Sequence, residues 1–184
     1  MPIVANIVAF QFGWLACVLG AAWGLPWLGA SLAAVIVAWH LTRATQPMRE
    51  ATLVLAAAGI GALWDSLLLA LGWVEFPNGM LLAGTAPYWM VTLWMLFATT
   101  LNVSLSWLKR RLLIAALFGA MGGPLAYYGG AKLGAMVFVE PATALVALAV
   151  GWALLTPLLL QLARRYNGFA MVPRTDLQPE VRHV

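Results

Sequence analysis

The chain alternates between long apolar stretches and short polar joints. The stretches run to about twenty residues, the length a helix needs to cross a hydrocarbon core about 30 Å thick. They place six spans at 3–23, 25–43, 50–72, 87–107, 112–130 and 141–163. No segment of about ten residues shows the apolar–polar alternation of a membrane β-strand. A backbone facing lipid must satisfy its own hydrogen bonds, so helices are the spanning form. The pattern predicts an all-α fold: a polytopic transmembrane bundle of six spans over 1–166, then a polar, disordered tail at 167–184. Pro26, Pro87 and Pro141 each open a span, where the missing N–H has no helical partner to lose.

Composition agrees. Hydrophobic residues make up 64% of the chain and charged residues 9%, against about 25% charged in soluble domains. A soluble fold this apolar has too little polar surface to cover itself. The net charge of +4 sits at span ends and forms no basic face, which argues against nucleic acid as a partner. Nine of the ten basic residues fall on one side: Arg43 and Arg49, Lys109 to Arg111, then Arg164, Arg165, Arg174 and Arg182. Only Lys132 lies on the other, with Glu75 and Glu140. The positive-inside rule then predicts both termini in the cytoplasm. The first span lacks a basic leader and carries Asn6 and Gln11, so it reads as a retained helix and not a cleaved signal. Trp23, Trp27, Trp73 and Trp89 are expected at the outer boundary and Trp39 and Trp107 at the inner one. Trp14, Trp64, Trp94 and Trp152 lie deeper and need a packing or pocket explanation.

Few residues carry chemistry. Asp65 is the most informative, because an ionisable group at that depth must face protein or water. Ala57 and Gly61 share its helical face, so a neighbouring helix can approach closely there. It reads either as a proton or cation site or as a carboxyl held by hydrogen bonds from another helix. Thr92, Thr99, Asn102 and Ser106 form a narrow polar stripe on the fourth span. That stripe is either one wall of a cavity or ordinary interhelical bonding. His40 and Glu50, across a short loop, form a candidate acid–base pair, and Asn6 and Asn102 are expected at similar depth. In the fifth span, Gly119 and Gly123 make one GxxxG, Gly130 and Gly134 a second, and Pro124 between them predicts a kink. Tyr127 and Lys132 follow, with Lys132 a candidate partner of Asp65 or of an anionic headgroup. Gln11 joins Asp65, Thr99, Asn102, Ser106, Tyr127 and Lys132 as a candidate pathway residue.

No cofactor or metal is expected. Only His40 stands near the membrane, His183 lying in the tail, so one chain cannot supply bis-histidine haem ligation. Cys17 has no second cysteine for a disulfide or a CxxC pair. No P-loop, HExxH or GxSxG is present, and whether the chain is an enzyme stays open.

The stretches NIVAFQFGWLACVLGA, WDSLLLALG, APYWMVTLWMLFATTLNVSLSWL and ALFGAMGGPLAYYGGAKLGA resemble the bacterial inner-membrane proteins grouped as DUF2878. The resemblance covers roughly residues 5–160 and carries no established site residues. Its genes' proximity to cyclopropane-fatty-acid-synthase-like genes implies a role in membrane lipid modification or stress response. Three readings follow. The leading one is an accessory protein that works on membrane lipids, with a lipid-modifying enzyme as partner. The others are a small proton- or ion-coupled transporter using Asp65 and the span-four stripe, and a membrane-embedded enzyme using His40 and Glu50. Oligomeric state is not readable from the sequence.

Overall fold

Each apolar stretch begins at or just after a helix-compatible proline or a loop and ends where polar or glycine residues stop it, and the helices follow that punctuation. The structure, a computed structural model, describes residues 2–169. Six helices occupy Ile3–Ala22 (α1), Pro26–Thr42 (α2), Pro47–Ala70 (α3), Tyr88–Leu101 (α4), Leu112–Lys132 (α5) and Pro141–Arg165 (α6). Pro26, Pro47 and Pro141 each stand in the first turn of their helix. Four helices, α1, α3, α5 and α6, are long and apolar enough to cross a membrane. The fold is all-helical apart from one antiparallel two-residue pairing of Val74–Glu75 (β1) with Val137–Phe138 (β2). This ladder ties the loop after α3 to the loop after α5, and Trp73 O accepts from Val139 N at 3.0 Å beside it. The ladder marks one end of the bundle. The α2–α3 turn and residues 106–111 mark the other, called here the basic end.

α1 packs on α2 and α4, α3 on α4, and α5 on α6. α4 touches α1, α2, α3 and α6, so it runs through the middle. It is also the shortest helix, at 14 residues. The expected continuous span over 87–107 is therefore divided: helix stops at Leu101, Asn102 takes the C-cap, and a 3₁₀ segment runs Ser106–Arg110. Side-chain bonds to the backbone gather at this point. Thr99, Thr100 and Ser106 hydroxyls donate to the carbonyls three residues back, Leu96 O, Phe97 O and Val103 O. Such back-bonding competes with the helix ladder. Asn6 of α1 then closes the end, its Nδ2 donating to Thr99 O at 3.1 Å and its Oδ1 accepting from Ser104 N at 3.3 Å. The irregular stretch is buried at Asn102, Val103 and Leu108, while Ser106, Trp107 and Arg110 are exposed.

Close packing between α5 and α6 uses the first GxxxG. A Cβ on Gly119 would strike Thr156 and the Trp152 carbonyl, and one on Gly123 would strike the Trp152 ring. The second pair does something else. Gly134 ends α5 with φ +91°, and Gly130 faces open space. α5 remains one helix through Pro124. Trp89 is 1% exposed and donates its indole N–H to Asn78 O at 3.0 Å. Asn78 in turn donates to Ala21 O at 2.8 Å, pinning the 71–87 loop over the ends of α1 and α4. Of the expected tail, Asn167–Phe169 pack against the α2–α3 turn, and the remainder lies outside the described residues.

Candidate functional site

Two buried carboxylates organise the molecule, one near each end. Asp65 is wholly buried on α3, on the face it shares with Ala57 and Gly61. Gly61 has no side chain, and the Trp94 ring of α4 fills that place; a Cβ on Gly61 would fall within the indole. The ring is thereby set so that Trp94 Nε1 donates to Asp65 Oδ2 at 2.7 Å. Tyr127 of α5 donates its hydroxyl to Oδ1 at 2.5 Å. Two neutral donors, and no cation among the described residues, answer the carboxyl group. Lys132 lies elsewhere, exposed, with its ammonium 5.3 Å from the Tyr128 ring centroid.

The aromatic donors are held in turn. Trp94 stacks on Trp152 of α6, centroids 4.6 Å apart and planes 14° from parallel. Trp152 meets Phe97 and Tyr127 edge-on at 5.2 Å and 6.4 Å, and Gly123 leaves room for its ring. These rings form the back of a cleft bounded by Phe10 and Trp14 of α1, Ala126 and Gly130 of α5, and α4 as its floor. Its interior offers about 70 Å³ of room to the centre of a water-sized sphere, and its lining is almost entirely apolar. Trp14 reaches towards α5, its indole edge 3.4 Å from where a Gly129 Cβ would stand. Phe10 and Trp14 are each half-buried.

The second carboxylate, Glu50, stands in the first turn of α3 at the basic end and is wholly buried. Its Oε1 lies 2.9 Å from His40 Nε2. Its Oε2 accepts from Asn102 Nδ2 at 2.7 Å and from Gly168 N at 2.9 Å. Lys109 donates to Asn102 Oδ1. Partial burial lowers the Lys109 pKa, Glu50 nearby opposes the shift and Arg164 adds to it. Among the described residues no cluster of three or more His, Cys, Asp or Glu side chains has the arrangement to hold a metal ion.

Comparison with known proteins gives one result. The family described as "Protein of unknown function (DUF2878)" matches residues 3–158. The chain belongs to the DUF2878 family. No curated protein and no solved structure matches it.

In this DUF2878 chain the site residues expected from sequence fall into separate places. Asp65 and Tyr127 meet; His40, Glu50 and Asn102 meet. Asn6, expected with the latter three, serves the end of α4 instead. Gln11 is exposed on α1, and its side chain makes no hydrogen bond among the described residues. Thr92, Thr99 and Ser106 spend their hydroxyls on their own backbone, and Ser106 lies beyond the helix break, so the stripe is not one continuous wall. Two participants were missed. Trp94 was visible as a deep tryptophan, but nothing in the sequence paired it with Asp65 across 29 positions. Gly168 carried no signal at all, since a glycine in a polar stretch reads as a linker.

Proposed function

We propose that this DUF2878 protein crosses the bacterial inner membrane six times, with both ends in the cytoplasm, and holds the acyl chain of a membrane lipid in the aromatic cleft, as an accessory to lipid modification. Six spans accord with the basic residues gathered at one end of the bundle. They also accord with α4 lying inside the bundle, where a 14-residue helix is continued by non-helical backbone that is buried at Asn102 and Val103. The observation that carries the lipid reading is the cleft: an apolar, ring-lined, partly open recess lined by α1, α4, α5 and α6, three of them long enough to span. Aromatic walls give an acyl chain rigid contact area at little entropic cost, and water gains nothing there because the lining offers few polar partners. Asp65 contributes by fixing Trp94 and Tyr127, and so the shape of the back wall. The span-four hydroxyls, engaged with their own helix, offer no matching support for an ion path.

Gly130 gives the test. A Cβ there meets nothing within 4 Å, and Gly130 lines the cleft, so Gly130→Leu is the substitution that places apolar atoms in the cleft from a position with room for its first carbon. Native mass spectrometry of protein released gently from detergent should show one retained phospholipid on the parent chain and several-fold less on Gly130→Leu at unchanged melting temperature. Equal retention on both, or none on the parent, would exclude the cleft as a lipid site.

A further inference from the structure

The basic end holds chemistry that lipid binding does not use. His40 closes α2 and Glu50 opens α3, and both are wholly buried. Glu50 Oε2 already accepts two N–H groups. With the carboxylate ionised, His40 Nε2–H donates to Oε1, which leaves Nδ1 with its lone pair. Nδ1 is buried and has no hydrogen-bond partner among the described residues. A carboxylate on one imidazole nitrogen and a free lone pair on the other is the arrangement of a general base.

This chain's own C-terminal strap covers the pair. Gly168 is fastened on both sides: its N–H to Glu50, its carbonyl to Thr45 Oγ1 at 2.8 Å and Gln46 N at 2.9 Å. Asn167 Oδ1 accepts from Phe169 N at 3.0 Å, which closes the turn. The Phe169 ring lies 5.0 Å from the His40 ring, centroid to centroid. A Cβ on Gly168 would stand 2.6 Å from Glu50 Cβ and 2.8 Å from Gln46 O, so glycine alone fits. The helix has already ended at Arg165, and a strap beyond it, held mostly by a few polar bonds, can trade them for water at small net cost.

We infer that Asn167–Phe169 is a lid over an acid–base site, and that the lifted lid presents His40 Nδ1 to a protic group, a hydroxyl, thiol or water, arriving at the basic end. In that step the X–H proton passes to Nδ1, the X–H electron pair stays on X, and Glu50 stabilises the imidazolium formed. The inference is independent of the lipid cleft.

Diethyl pyrocarbonate tests it on the full-length protein in detergent, with ethoxyformylation of the His40 peptide followed by mass spectrometry. His40 in the parent should react far more slowly than N-acetylhistidine. Gly168→Val, which forces the strap away, and Phe169→Ala, which uncovers the ring and adds no atoms, should each react at least tenfold faster than the parent. Adding Glu50→Gln to Gly168→Val should slow the exposed His40 several-fold, a change that exposure alone does not produce. Three results would overturn the inference: folded variants with His40 as protected as in the parent, a parent His40 as reactive as the free amino acid, or indifference of the opened site to Glu50→Gln. Loss of the folded bundle in both single variants would make the strap part of the core and overturn the lid equally.

Discussion

Asp65 and Glu50 are both carboxylates, both on α3 and both wholly buried, yet they are answered in opposite ways. Asp65 takes its hydrogen bonds from an indole and a phenol, rings that also wall the cleft. Glu50 takes its own from an imidazole, a carboxamide and a backbone N–H just beyond α6. Burying either charge is costly unless donors replace its water. What differs is what the donors do besides donating. Asp65 sets the shape of an apolar recess, while Glu50 fastens a segment over an imidazole. The donors, more than the buried charge itself, tell what a carboxylate is for.

The largest expected effect is at Gly61. Gly61→Leu drives a side chain into the space of the Trp94 ring, and the protein should fail to give a monodisperse peak in size-exclusion chromatography. Recovery of a normal peak would mean that Trp94 is not locked against α3. Asp65→Ala comes next. It strands two buried ring donors, at a cost of about 1–3 kcal/mol, with a lowered melting temperature and a shift in tryptophan emission. Glu50→Ala should cost less, about 1 kcal/mol, because water can reach its donors once the strap loosens; a greater loss than for Asp65→Ala would reverse the comparison. Asn6→Ala removes the cap on α4 and should lower stability by about 1 kcal/mol in thermal unfolding while leaving both carboxylate centres in place. Thr99→Val and Ser106→Ala should be smallest, within about 0.5 kcal/mol, with phospholipid retention unchanged. A loss of retention in either would restore the stripe as part of a pathway.

The helices were readable because a lipid-facing helix must be long and apolar, and that requirement is written in consecutive residues. The small-residue face of Ala57, Gly61 and Asp65 was readable for a related reason: helical periodicity fixes which residues share a side. The break after Leu101 was not readable, because hydropathy runs on through Val103, Leu105 and Trp107 while the interruption coincides with clustered hydroxyl back-bonds and with Asn6 closing the helix end from α1. Nor was the partner of Asp65. Lys132 looked the natural one by charge, but it points outward to Tyr128, and two neutral rings from α4 and α5 reach the carboxyl first. His40 and Glu50 were close in sequence and so easy to pair. The strap that covers them rests on Gly168, where the decisive property is an absent side chain.

The cleft's occupant decides the account. A phospholipid bearing a diazirine near the middle of one acyl chain, reconstituted with the protein and photolysed, should label residues 10–14 and 126–130 well above the rest of the outward surface, and Gly130→Leu should remove that excess. Label spread evenly over the outward faces of α1, α3, α5 and α6, unchanged by Gly130→Leu, would contradict the claim that the cleft holds a lipid chain.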